Sequence, residues 1–383
     1  MTLRLVFLAC LSNAAMGVLY VWSLFLLPLE AALGTSRSGL SLIPACALVA
    51  FTLGMVLHDR LLRMLGFRAF SLLAFGLAGG GHLVFAAGGS LVTLFIGYGL
   101  LFGLGAGLGY GLALALVTRL PDAVRSLGLG LAMAAFAVSG VALSGLFAGP
   151  IRDGDPAYVF LIIGIAIVLT GLVVTALLPV SRPVAVAEEV RALPLLRDVT
   201  DPKFLRLALI FFFICYTGLM VVAHLTGIVL AQGGTARLAG LAPGVFTFGY
   251  ILGSLAGGRL VELSSGRTML ILSNLLAGAG LVTLLLPAPP LALAGALAVG
   301  MVFGGSASLM PVLIGGEFGT ERTGGIYGRL MLAFGAAGLV APPLSGRLFA
   351  AAGSYIPALG IGVAMCAAGM ALGMTMKPEK SGG

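Results

Sequence analysis

Long apolar runs fill this chain, and its polar positions gather in short clusters between them. The apolar runs fall at 5–28, 40–57, 69–87, 91–118, 127–149 and 157–179. After a polar interval they resume at 207–230, 240–258, 268–286, 291–314, 324–349 and 354–376. Each is close to the ~20 residues that a helix needs to cross a hydrocarbon layer ~30 Å thick. No water is available there to backbone N–H and C=O groups, so each run must satisfy them internally, as a helix. The pattern predicts an all-α polytopic membrane protein with twelve transmembrane helices. The polar interval, "VSRPVAVAEEVRALPLLRDVTDPKFLR", carries three prolines and much of the mixed charge. It predicts a linker at 181–206 between a six-helix bundle at 1–180 and another at 207–383.

Composition removes the soluble alternatives. Apolar side chains make up 60% of the 383 residues and charged ones 9%, with a mean hydropathy of +1.16. A soluble domain carries about a quarter charged residues, so this chain cannot cover itself with a wetted surface. The first run is too long for a signal-peptide core, and no small-residue cleavage site with a polar sequel follows it. It reads as the first span. Cys10, Cys46, Cys215 and Cys366 all lie in apolar segments and read as small packing residues. Without Cys-x-x-Cys or His/Cys ligand spacings, no metal and no cofactor is expected.

Lys and Arg placement orients the chain. With the N-terminus inside, sixteen basic residues fall on the cytoplasmic side, and only Arg37, Arg152, Arg237 and Arg347 outside. Both termini are therefore expected in the cytoplasm, in an inner-membrane protein. The net charge of +8 is then an anchor on the inner face of a lipid bilayer, and no nucleic-acid partner is implied.

The two halves echo one another. "DRLLRMLGFR" (59–68) after the second span parallels "GRLVELSSGR" (258–267) after the eighth, 199 positions on. "MAAFAVSG" (133–140) in the fifth span parallels "MLAFGAAG" (331–338) in the eleventh, and Gly17 maps near Gly218. Two matched six-helix bundles sharing a mid-membrane cavity is an architecture of alternating-access carriers.

Several stretches carry a family likeness. "GVLYVWSLFLLPLE" (17–30), "GLGAGLGYG" (103–111) with "RLPDAVRSLGLG" (119–130), "GLMVVAHL" (218–225) and "YGRLMLAFGAAGLVAPPLSGRLFAAAGSY" (327–355) span nearly the whole chain. With them the sequence resembles the major facilitator superfamily, and within it the branch of oxalate/formate antiporters and monocarboxylate transporters. The resemblance implies the major facilitator fold, two pseudo-symmetric bundles of six, and a substrate-contacting tyrosine at Tyr110. It also marks two departures. The branch's arginine in the eighth helix falls on Ser254, and the lysine that oxalate-type members carry in the eleventh falls on Phe334. A buried cation is the natural partner of a carboxylate leaving water, so their absence speaks against a dianion. The loop motif after the second span is degenerate too, with Arg63 where an acid is usual.

Charge at mid-bilayer costs roughly 2.5–3.5 kcal/mol on insertion scales, so polar residues in the spans are functional candidates. Arg329 lies early enough in the eleventh span to snorkel inward. Glu317 and Glu321 flank the same turn and are expected to pair with Arg322 or Arg329 as a gate or anchor. Asp59, Arg60 and Arg68, with Arg259, Glu262 and Arg267 in the equivalent loop, complete that gating set. Glu30 reads as interfacial, His58 as solvated beside the inner loop, and His82 in "GGGHLVF" as one side of an interhelical hydrogen bond. Trp22 points away from the Tyr20 face and reads as an anchor against a neighbouring helix or the interface.

His224, in "TGLMVVAHLTG" (217–227), shares a helix face with Thr217, seven positions before it. Two readings stand: a cavity-lining group that titrates near neutrality, or a packing residue with a hydrogen bond. The repeat maps it onto Ser23, and Asn13, Gly17 and Tyr20 share a face of the first helix. Tyr250 and Tyr327 add hydroxyls from the eighth and eleventh spans. The substrate-binding candidates are thus Asn13, Tyr20, Ser23, Tyr110, Thr217, His224, Tyr250, Ser254 and Tyr327. "GLGAGLGYG" lacks nucleotide-loop spacing and follows no strand.

The function expected is secondary active transport of a small organic solute, a monocarboxylate-like anion moved by proton symport or anion exchange. A carrier or exporter of neutral or amphiphilic compounds is the alternative that fits the missing cations. An intramembrane enzyme would need paired acids or a nucleophile and base on facing helices, and the aspartates all fall in loops; no enzyme is expected. The partners implied are a small-molecule substrate and the bilayer, with the protein working as a monomer.

Overall fold

The structure is a computed structural model that describes residues 2–35, 37–153, 155–179 and 199–376. Most of the predicted linker (180–198) lies outside the described residues. Helices account for nearly all of the rest. They are α1 (Thr2–Met16), α2 (Trp22–Leu33), α3 (Arg37–Gly88), α4 (Leu91–Leu94), α5 (Gly103–Val117), α6 (Asp122–Asp153) and α7 (Pro156–Leu177). After the linker come α8 (Pro202–Ala231), α9 (Ala236–Leu263), α10 (Gly266–Leu285), α11 (Pro289–Phe318), α12 (Thr323–Ala352) and α13 (Ile356–Met374).

Local chemistry sets the boundaries. Asp155 and Asp201 each precede a proline at the first helical position, and each carboxylate accepts from a first-turn N–H, at 2.9 Å (Ala157) and 2.8 Å (Lys203). Ser265 and Thr235 cap α10 and α9 in the same way. Capping oxygens and an N1 proline are what a helix start with orphan N–H groups asks for.

Among the described residues, eleven stretches are long and apolar enough to cross a membrane. The difference from twelve lies in α3, which runs for 52 residues across a break at Gly66 (φ 74°, ψ 167°). That positive φ is open to glycine without strain. It joins the two runs predicted at 40–57 and 69–87, so all twelve predicted spans fall on helix. Two spans are less regular than their sequence suggests. A 3₁₀ turn at Gly17–Val21 separates α1 from α2, and π-helical turns at Phe95–Phe102 separate α4 from α5.

The chain divides into two compact units, Met1–Leu195 with Glu321–Leu332, and Leu196–Thr320 with Ala333–Gly383. The start of α12 therefore belongs to the first unit and its remainder to the second. In the first unit α3 packs along α5 and α7, while α1 lies on α5 and α6. In the second, α9 lies along α11, and α10 bridges α11 and α13. One device recurs in both. The Arg4 guanidinium donates to the Leu177 carbonyl, where α7 ends, and Arg206 donates to Thr375 O at 3.4 Å, where α13 ends. Arg68 adds a bond to Leu178 O at 3.1 Å. Arginines here satisfy carbonyls left open at helix C-termini, and they do so 202 positions apart along the repeat.

Backbone-to-backbone approach sets the helix spacing. Gly249, Gly253 and Gly257 of α9 face the α11 backbone, and a Cβ at Gly253 would overlap the Met301 carbonyl. Gly253→Ala should lower thermal stability in detergent by about 2 kcal/mol, the scale of overpacking. Gly240→Ala on the same helix, with open space around it, should leave the melting temperature unchanged; both are read by thermal unfolding.

Candidate functional site

In the first unit, polar and aromatic candidates make contacts between helices. Tyr110 of α5 and Tyr327 of α12 bring their hydroxyls to 3.5 Å, both side chains buried. Phe51 of α3 and Phe136 of α6 meet the Tyr110 ring edge-on, with centroids at 5.7 and 5.6 Å. Asn13 of α1 is fully buried beside α6, its amide donating to Ala132 O at 2.8 Å while its Oδ1 has no partner. Two hydroxyls set among aromatic faces can donate to and accept from a small polar solute.

The second unit holds a companion cluster. Tyr250 of α9 meets Phe303 of α11 edge-on at 5.7 Å, and Phe303 stacks on Phe334 of α12 at 6.4 Å and 14°. Phe303 also covers Gly218 of α8, where a Cβ would stand 2.5 Å from its ring. Ser254 is buried and donates to Gly304 O at 3.0 Å. Thr217 donates to Ile214 O within its own helix at 2.9 Å. Ser254 and Phe334, the positions where the sequence resemblance points to cations, are therefore filled by packing, Ser254 against α11 and Phe334 against Phe303. Two members of this cluster have counterparts in the first: Phe51 is 199 positions before Tyr250, and Phe136 is 198 before Phe334. The repeat offset could have found Phe51 and Phe136, yet aromatic residues in an apolar chain attract no notice as a site.

His224 is half-buried and bridges two helices. Its Nε2 donates to the Pro342 carbonyl of α12 at 3.0 Å, and its ring lies 5.5 Å from that of Tyr355. The side chains of Tyr20, Ser23 and Glu262 lie outside the described residues.

Several expectations change. His58 is buried, not solvated, because Gly111 of α5 and the glycines that open α12 leave room for its ring. His82 bonds within its own helix, to Ala78 O at 3.0 Å. Tyr98, Phe102 and Phe160 box the ring and admit no partner from another helix. Glu317 ion-pairs with Lys203 at 2.7 Å, a partner at the opening of α8 that the local charge pattern did not suggest. Trp22 lies 5.0 Å from Tyr98, a contact with a neighbouring helix. In the loops, Asp59 pairs with Arg63 at 3.1 Å, and Arg63 also reaches Glu321 O at 3.2 Å. Arg60 and Arg259 are exposed, while Arg267 and Arg329 are half-buried. Arg119, between α5 and α6, lies 4.1 Å over the Phe67 ring, and partial burial pushes its guanidinium below the ordinary arginine value.

The sequence model of the family described as Major Facilitator Superfamily matches residues 205–382. Among solved structures, the proton:xylose symporter XylE aligns over 98% of this chain and 96% of its own, with a TM-score of 0.78 at 14% identity. The E. coli fucose:proton symporter FucP aligns over 96% and 97%, with a TM-score of 0.73 at 16% identity. The human organic anion transporter MFSD10 aligns over 97% and 99%, with a TM-score of 0.74 at 17% identity. The chain has the major facilitator fold. No curated protein sequence matches it. The neighbours named are transporters rather than enzymes, and the major facilitator fold with its apolar helices makes this an integral membrane protein.

The His224 bond is open to test. An interhelical hydrogen bond in a membrane protein is worth about 0.6 kcal/mol on average. His224→Ala should therefore lower the melting temperature in detergent by roughly 1–3 °C, and His224→Gln, which can still donate to Pro342, should recover most of it. A thiol-reactive dye reporting the buried Cys215 and Cys366 provides the readout.

Proposed function

We propose that the protein is a secondary active transporter that moves a small organic solute by alternating access, with both termini in the cytoplasm and one chain as the working unit. The major facilitator fold, the internal repeat and the family resemblance of the motifs support this reading. The cargo proposed is a small monocarboxylate that travels with a proton.

The observation that carries the cargo assignment is the Tyr110–Tyr327 hydroxyl pair, taken with the uncharged residues at Ser254 and Phe334. Hydroxyls can donate to a carboxylate, but they do not neutralise it. An unpaired charge taken from water into an apolar surround is costly, so a carboxylate bound without a cation crosses most readily with a proton, as an electroneutral load. This ranks proton symport above anion exchange, and a monoanion above a dianion. Two of the structural neighbours are sugar:proton symporters and one is an organic anion transporter, which agrees with either a proton or an anion in the cycle. A second reading, a carrier of neutral or amphiphilic compounds, draws on the uncharged cluster of Tyr250, Phe303 and Phe334.

Uptake of labelled lactate, formate and oxalate into proteoliposomes, with and without an inward proton gradient, separates the readings. Lactate or formate uptake should rise with the gradient and oxalate should not enter. Tyr110→Phe should reduce uptake roughly ten- to a hundredfold, the loss of one hydrogen bond to a charged group, with the melting temperature retained. Movement of a neutral compound in vesicles that take up none of the three acids would end the monocarboxylate assignment.

A further inference from the structure

His58 occupies a slot with glycine walls inside the first unit. A Cβ at Gly324 would stand 3.4 Å from His58 Nε2, one at Gly328 would stand 3.3 Å from Cε1, and one at Gly111 of α5 would overlap the ring at 2.6 Å from Cδ2. The adjacent Asp59 carboxylate lies against Gly324 and Gly325, 3.3 Å from each ideal Cβ. Residues 321–332 thus seat on α3 and α5 with the imidazole as the knob, and His58 is only 1% exposed.

The hydrogen bonds of the ring are half complete. Its Nδ1 lies 2.5 Å from the Met55 carbonyl, which makes Nδ1–H the donor, and Nε2 has no partner. A neutral imidazole tolerates this, because the bare lone pair faces glycine. An imidazolium would present a second N–H to the same wall, where Nε2 has no hydrogen-bond partner in the seated state, and a buried donor without an acceptor is expensive, more so when charged. Once the segment lifts away, water reaches Nε2 and the charged form is satisfied.

Other charged and titratable groups surround the slot. On α3, Asp59 attracts an imidazolium and Arg63 repels it, and the two form one ion pair at 3.1 Å. Tyr110 follows on α5, and Glu321, Arg322, Tyr327 and Arg329 lie on the seated segment, with Glu321 and Arg322 exposed. We infer that His58 is a proton-operated latch: neutral, it seats residues 321–332 on α3 and α5, and on taking a proton it releases them. The seated state binds this proton less well than the released state, so linkage makes acid favour release. The proton would arrive from the side that the charge bias assigns to the cytoplasm. The role in transport rests on the alternating-access reading, but the release itself does not.

Release can be measured without any cargo. In a background with Cys10, Cys46, Cys215 and Cys366 replaced by alanine, Thr323→Cys places a thiol where the native side chain is 3% exposed. Its maleimide labelling rate is divided at each pH by that of Leu263→Cys, an exposed control at 75%, which cancels thiolate chemistry. Between pH 8 and pH 5.5 the ratio should rise about tenfold, beginning near the ordinary histidine value of ~6.5. His58→Gln should flatten the profile, and Gly324→Ala, which crowds Nε2, should raise the ratio at every pH. Asp59→Asn should still titrate. A flat profile in the parent, an unaltered profile in His58→Gln, or loss of the response in Asp59→Asn would overturn the latch. Should His58→Gln not fold, the parent and Asp59→Asn profiles decide it. A negative result leaves the transporter reading standing, which fails only on the uptake assay.

Discussion

Within the spans every backbone polar group must find its partner without water, because these helices are built to lie in hydrocarbon. A helix meets that demand within itself, and the consequence reaches every contact between helices. Helices so closed attract one another through van der Waals contact and a few polar bonds, and that attraction grows as backbones come closer. Glycine permits the closest approach. The α9–α11 seam along Gly249, Gly253 and Gly257, and the slot that Gly111, Gly324 and Gly328 leave for His58, are the same solution used twice. In the first case the space is filled by another backbone, and in the second by an imidazole.

The polar residues follow from the same scarcity of water. Serines, threonines and histidines in the spans mostly spend their donors on carbonyls close by: Thr217 on Ile214, Ser254 on Gly304, His82 on Ala78 and His224 on Pro342. What remains is informative because it is scarce. Asn13 Oδ1 and His58 Nε2 are buried without a partner, and the Tyr110 and Tyr327 hydroxyls face one another. These four residues lie in the first unit, while Tyr216, Gln232 and Asn274 hold buried polar atoms without a partner in the second. A site built from hydroxyls and aromatic faces, without a cation, suits cargo of no net charge. A proton carried with a carboxylate, as proposed above, would meet that condition.

The internal repeat shows which features belong to the scaffold and which do not. Arg4 on Leu177 and Arg206 on Thr375 do the same work in each unit, tying the first helix to the end of the last. Phe51 and Phe136, whose rings meet at 6.4 Å, have aromatic counterparts in Tyr250 and Phe334, which both meet Phe303. His58 does not recur: 199 positions on stands Gly257, in the α9–α11 seam. A group present on one side of a repeated design marks a place where the halves have diverged in task, and here it falls beside the start of α12.

The order of elements was legible in the sequence because hydrophobic run length reports directly on what can cross a bilayer. All twelve runs fall on helix, two of them within α3 on either side of the break at Gly66. The candidate tyrosines were legible too, as hydroxyls in otherwise apolar spans. Their grouping was not, because Tyr110 and Tyr327 stand 217 positions apart and no local pattern reports which helices touch. For the same reason His58 read as solvated, and the Lys203 partner of Glu317 went unread. One-dimensional pattern fixes which face of a helix is apolar, but only tertiary packing decides whether a polar group at its end meets water, a carbonyl or a wall of glycine.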